Sequence, residues 1–120
     1  MLRKGTPIGY NSTFTLDKDA RIAVVAAGYA DGVPLQLSNK GSVLVKGVPC
    51  PIIGRISMDY TTIDVSGVEC VKPGDEAVLI GESMGNEMSL NEWSDIKGTH
   101  PYDVLTSFGN RVERVLFRGR

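Results

Sequence analysis

Fourteen glycines and six prolines are scattered through 120 residues rather than gathered in one place, so they punctuate short elements and mark no linker. The segments between the breaks are β in character. Residues 12–16 are short and rich in Thr and Phe. Residues 21–27 (RIAVVAA) form a nearly continuous apolar run, the pattern of a strand covered on both faces. Residues 42–45 and 50–53 flank Lys46-Gly47-Val48-Pro49 and predict a hairpin. Residues 61–65 alternate with period two, residues 76–81 follow the turn Lys72-Pro73-Gly74-Asp75, and residues 111–117 predict a closing strand. Many short strands with regular turn signals predict a mainly β, compact β-barrel-like domain over residues 1–120, with one or two short helices near the C-terminus. Ser89 and Glu92 have the spacing of a capping box, ahead of a helix over residues 90–96 that stops before Gly98. A second helix is expected after Pro101, ending before Gly109.

Composition narrows the class. Apolar residues at 42% and charged residues at 22% suit a soluble globular domain and argue against disorder. A formal net charge of −1 gives no electrostatic reason for nucleic acid or an anionic membrane as a partner. The longest apolar run, residues 22–28, is far short of a spanning helix, and the first residues lack the apolar stretch of a signal peptide. Cys50 and Cys70 have no C-x-x-C spacing and suggest neither a zinc site nor a disulfide framework. The expectation is a reduced, cytoplasmic protein without a metal site, with a Cys50–Cys70 disulfide as the alternative.

Taken residue by residue, the chain is poor in catalytic groups. Its one histidine, His100, stands before Pro101 as a loop or helix-start residue. Turn chemistry accounts for Asp31 in Asp31-Gly32. Three local patterns are less ordinary: Gly9-Tyr10 at the mouth of a strand, Tyr29 within Gly28-Tyr29-Ala30-Asp31-Gly32, and Arg55-Ile56-Ser57-Met58-Asp59 after a strand end. Each alone reads more readily as packing, because a tyrosine at a strand end usually buries its ring and bonds its hydroxyl.

In order, these patterns resemble the carboxy-terminal domain of the alanine racemases. The similarity runs from about Gly5 to Phe117. It includes Gly-Tyr-x-x-Thr-Phe-Thr at 9–15, Gly-Tyr-Ala-Asp-Gly at 28–32, Leu-Ser-Asn-Lys-Gly at 37–41 and Val-Leu-Val-x-Gly at 43–47. Further blocks are Pro-Ile-Ile-Gly-Arg-Ile-Ser-Met-Asp at 51–59, Thr-x-x-Asp-Val at 61–65, Pro-Tyr-Asp-Val-Leu-Thr-Ser at 101–107 and Arg-Val-x-Arg-Val at 111–115.

The resemblance implies a two-part enzyme in which an amino-terminal (β/α)₈ barrel, absent from these residues, carries pyridoxal phosphate on a lysine. It implies a homodimer whose sites form between the barrel of one subunit and the β-domain of the other. The implied reaction interconverts L- and D-alanine by two-base α-proton transfer, supplying D-alanine for peptidoglycan. These 120 residues alone are then expected to be inactive and to expose the apolar face that meets a barrel. Tyr10 matches the catalytic tyrosine, Met58 the residue whose backbone N–H holds the substrate carboxylate, and Tyr102 the tyrosine whose hydroxyl touches the cofactor phosphate. Tyr29, Arg55 and Asp59 match residues near the substrate entrance, although a solvated surface ion pair also accounts for Arg55 and Asp59.

Three positions depart from the common family pattern. Asn11 stands where glycine is frequent, and it tolerates the same backbone region. Leu35 replaces an arginine and Tyr60 a glutamine, which leaves serine or a broader range of amino acids open as substrates. Two further alternatives are a non-catalytic β-barrel binding module and the soluble end of a membrane-tethered racemase.

Overall fold

The computed structural model describes residues 5, 7–8, 14–15, 20–109 and 111–114. Among the described residues nine short strands are followed by two α-helices: β1 (Pro7–Ile8), β2 (Phe14–Thr15), β3 (Ile22–Val25), β4 (Ser42–Val45), β5 (Val48–Pro51), β6 (Thr61–Asp64), β7 (Ala77–Val78), β8 (Gly81–Ser83), β9 (Asn86–Met88), α1 (Leu90–Lys97) and α2 (Pro101–Thr106). Mainly β structure with two short C-terminal helices therefore stands as expected. All pairings are antiparallel: β1 with β2, β3 with β6, β4 between β5 and β7, and β8 with β9. An Ile52–Ile63 bridge and a bond from the Ile53 N–H to the Thr62 carbonyl (2.9 Å) carry the path from β5 to β6. Among the described residues the sheets do not close into a barrel. Ladders of two to four residues, each ended by a turn, leave too few paired positions for a continuous wall.

The central hairpin shows why so short a β4 holds. Lys46 and Gly47 both take positive φ (51° and 77°), which makes the mirror-image two-residue turn whose twist matches that of the strands. The turn is thus tighter than the four-residue loop expected, and Val48 already pairs with Val45. Met84 and Gly85 (φ 48° and 88°) repeat the device between β8 and β9, a hairpin with no signal in the sequence pattern. β6 alternates as expected, with Thr61 and Ile63 buried and Thr62 and Asp64 partly exposed. β3 departs from expectation: Val24 is 63% exposed, because Ala23 and Val25 pack against the core and Val24, between them, points to the opposite face.

The core gathers Val43, Leu44, Ile52 and Ile63 from the β elements and Leu37 from a 3₁₀ turn over Leu35–Leu37, with Trp93 and Val104 from the helices. α1 begins where the Ser89 hydroxyl accepts the Glu92 N–H (3.1 Å), and it ends at Gly98 (φ 78°), whose N–H donates to Ser94 (2.8 Å). His100 caps α2, its Nδ1 accepting the Tyr102 N–H (3.2 Å), with Pro101 in the first turn where no donor is missed. A Lys97–Asp103 pair (2.8 Å) joins the end of α1 to the start of α2 and holds the Asp103 carboxyl below the usual range. Cys50 is buried and Cys70 exposed, both as free thiols, and burial pushes the Cys50 thiol up. No helix of the described residues is long and apolar enough to cross a membrane.

Candidate functional site

Gly28 opens a 3₁₀ turn over Tyr29–Asp31 that closes on Gly32 (φ 108°). The turn is bonded internally, the Gly28 N–H donating to Asp31 Oδ2 (3.0 Å) and the Asp31 N–H to the Gly28 carbonyl (3.0 Å). It is then bonded to the facing loop: the Tyr29 N–H donates to the Ser57 carbonyl and the Ala30 N–H to the Met58 carbonyl, each at 3.0 Å. The approach is close enough to require glycine, since a Cβ on Gly28 would fall against the Ser57 carbonyl and within 2.5 Å of the Met58 oxygen. The loop itself folds through Ser57, whose hydroxyl accepts the Tyr60 N–H (3.0 Å) while its N–H donates to the Tyr60 carbonyl (3.0 Å).

A third segment completes the arrangement. Ser107 and Phe108, just past α2, press on Gly32, and Gly109 lies against the Ala30 carbonyl. Arg111 then reaches across both loops. Its Nε and Nη2 donate to the two carboxylate oxygens of Asp31 (2.9 Å each), and its Nη1 donates to Asp59 Oδ1 (2.8 Å). This is a planar fork on one carboxylate with a third donor on another. Arg111, and after it the Gly28 N–H, hold the Asp31 carboxyl below the usual carboxylate range, and Asp31 then Asp59 raise the arginine above its ordinary value. Residues 111–114 form a turn and irregular chain where a strand was expected over 111–117, and residues 115–117 lie outside the described residues.

The expected site residues fall into three groups. Tyr29, Met58 and Asp59 are brought together, with Tyr29 48% and Met58 52% exposed although both are large and apolar in part. Tyr60 adds to the same exposed loop at 55%. Arg55 lies one turn away, beside a shallow recess it shares with Leu35, Gln36, Ser38 and Asn39. Its loop is pinned from that side by the Asn39 side chain accepting the Gly54 N–H (2.6 Å) and the Ser38 hydroxyl accepting the Ile56 N–H (2.9 Å). Tyr102 is on α2, highly exposed, with its ring stacked on His100 at a centroid distance of 5.0 Å. Tyr10 lies outside the described residues.

Arg111 is the residue that sequence reasoning passed over. It sits in the Arg-Val-x-Arg-Val block at 111–115, where charge alternating with valine looks like strand patterning. Only the eighty-residue separation between Arg111 and Asp31, closed by the fold, reveals its partners.

Known proteins are similar to this chain over almost its full length. Residues 1–116 match the family described as alanine racemase, C-terminal domain. The chain is 44% identical over 113 residues to an alanine racemase of Thermodesulfovibrio yellowstonii, covering 94% of this chain and 31% of that protein. It is 38% identical over 112 residues to a broad specificity amino-acid racemase of Pseudomonas putida, covering 93% of this chain and 27% of that protein. Among solved structures, it superposes with a TM-score of 0.82 at 37% identity on the alanine racemase of Bartonella henselae with covalently bound pyridoxal phosphate, over 95% of this chain and 31% of the other. The chain thus spans less than a third of the length of these proteins. Ordered motifs, fold and relatives agree that the chain belongs to the alanine racemase C-terminal domain family.

Proposed function

We propose that this chain is the C-terminal domain of a pyridoxal-phosphate-dependent alanine racemase, and that it supplies one base and one carboxylate contact to a site completed by a cofactor-bearing barrel. The observation that carries the reading is the Met58 loop. It is exposed, fixed by bonds to its carbonyls and flanking residues, and its Met58 N–H meets no acceptor among the described residues. A rigid, unspent peptide donor is what a small carboxylate needs, and it asks nothing of the methionine side chain.

The residues present suit an anionic cofactor and an amino-acid substrate. The exposed Tyr102 is suited to offer its phenol to a phosphate, and Tyr29 stands beside the Met58 loop at the approach to it. Arg55 and Asp59 border the same approach. Pyridoxal phosphate, when bound, supplies the electron sink that lets the α-proton leave. The Tyr10 phenol oxygen removes or returns that proton on one face, and a lysine of the barrel does so on the other. A free phenol titrates near ~10, so Tyr10 acts as a base only with neighbours that favour its ionised form. In this reading those neighbours come from the barrel, the working unit is a homodimer in the cytoplasm, and its D-alanine serves peptidoglycan.

Replacing Tyr10 by Phe in the polypeptide that joins this domain to its barrel tests the assignment. Racemisation should vanish while solvent deuterium still enters the α-position of one enantiomer; equal exchange from both enantiomers would remove Tyr10 from the role. The 120-residue chain with added pyridoxal phosphate should form no D-alanine.

A broader substrate range is the second reading, favoured by Leu35 and Tyr60. Both are exposed, and both replace polar residues common in the family. It is also the activity named for the Pseudomonas putida relative. Turnover of serine or larger amino acids at rates comparable with alanine would select it.

A further inference from the structure

We propose that Arg111 is a positioning residue that sets the Met58 peptide N–H, by holding Asp59 directly after it and Asp31 in the facing turn. The inference rests on the reading of that N–H as the donor to a substrate carboxylate. Three of the five donors of one guanidinium are used, two on Asp31 at 2.9 Å and one on Asp59 at 2.8 Å. Asp31 is anchored in turn by the Gly28 N–H, and its turn is bonded to the carbonyls of Ser57 and Met58. The loop is therefore gripped on both sides of the Met58 N–H, by its backbone at Ser57 and Met58 and by its side chain at Asp59. None of these bonds consumes that N–H.

Charge gives the same residue a second task. Asp31 and Asp59 place two carboxylates beside a donor meant for a third, and like charges at short range oppose its binding. Arg111 offsets one of them. Lysine could supply the charge but not the planar fork that spans both carboxylates. The side chain is 53% exposed, and exposed ion pairs add little to global stability. The consequence of losing it is accordingly local.

The test uses the methionine amides. Four methionines are present, and ¹⁵N-methionine labelling isolates Met58 from Met84 and Met88, which serve as internal controls. In Arg111→Ala the Met58 amide signal should move and broaden as the loop samples other conformations, with Met84 and Met88 unchanged. Arg111→Lys should lie between the two, and it keeps the test open if the alanine variant folds poorly. In the cofactor-loaded polypeptide that includes the barrel, Arg111→Ala should raise KM for alanine about tenfold and leave kcat within about threefold, because a carboxylate contact is made alike in ground and transition states. Arg111→Lys should recover part of that loss. A merely structural tie would instead lower the active fraction and so kcat, with KM unchanged.

A Met58 amide indifferent to Arg111→Ala overturns the proposal, as does an unchanged KM in an enzyme that racemises. A wild-type protein that racemises no amino acid sinks the racemase reading instead, and the amide measurement still decides whether Arg111 holds the loop.

Discussion

The β4 hairpin with α1 and the pair of loops at 28–32 and 57–60 belong to one small domain and are held by opposite means. Around β4 the work is done by apolar burial: Val43, Leu44 and Trp93 are at most 1% exposed, and Trp93 tilts against Phe108 at 6.5 Å. In the loops, backbone bonds, a glycine contact and one arginine hold Tyr29, Met58 and Tyr60 in place while leaving each about half exposed. Burial is non-directional and tolerates small shifts of the chain. Hydrogen bonds and ion pairs fix direction and leave side-chain surface free, which is what a contact site requires. The first region therefore sets stability, and the second sets geometry.

Trp93→Ala should separate them most sharply. A cavity in the core should lower the unfolding free energy by about 3–5 kcal/mol, read as a shift in the denaturant midpoint. Arg111→Ala should hardly move that midpoint, because its side chain is half exposed. A comparable loss from both would erase the distinction drawn here.

Gly28→Ala comes next. The added methyl cannot sit beside the Ser57 and Met58 carbonyls without parting the loops, and overpacking of this kind costs about 1–3 kcal/mol. Its larger effect should be on the Met58 amide, seen as a changed chemical shift. An unperturbed Met58 signal would show that the close approach is not needed.

Ser89→Ala, far from the loops, should cost about 1 kcal/mol by orphaning the Glu92 N–H, with no change at Met58. A response at Met58 would mean that α1 and the loops are coupled.

Acid gives the smallest effect. Asp31 has a lower pKa in the folded state than the ordinary ~3.9 expected in the unfolded chain, so its contribution is present above that value and is lost as pH falls through the lower folded value. The melting temperature of Asp31→Asn should therefore fall less steeply than that of the wild type on going from pH 5 to pH 2. Parallel curves would indicate that the Arg111 contact carries no proton linkage.

Much of the first region was legible along the chain. The alternation at 61–65, the Ser89 and Gly98 ends of α1, and Pro101 at the start of α2 are local signals, and each operates within a few residues. The hairpin at 46–47 was legible in place but not in type, because Lys46 adopts a backbone region that its side chain does not announce. The exposure of Val24 was not legible, since an apolar run reads the same whichever neighbours happen to cover it.

The second region divides in the same way. Sequence by itself determined the family, because ordered blocks are a property of the chain, and it led to the expectation that Tyr29, Met58 and Asp59 lie close together. Only the tertiary structure decided what joins them. Asp31 looked sufficient as a turn residue, and Arg111 looked like part of a strand. Their two-donor contact spans eighty residues and the third donor reaches Asp59, and no local pattern encodes a pairing that exists only once turn, loop and C-terminal segment have packed together.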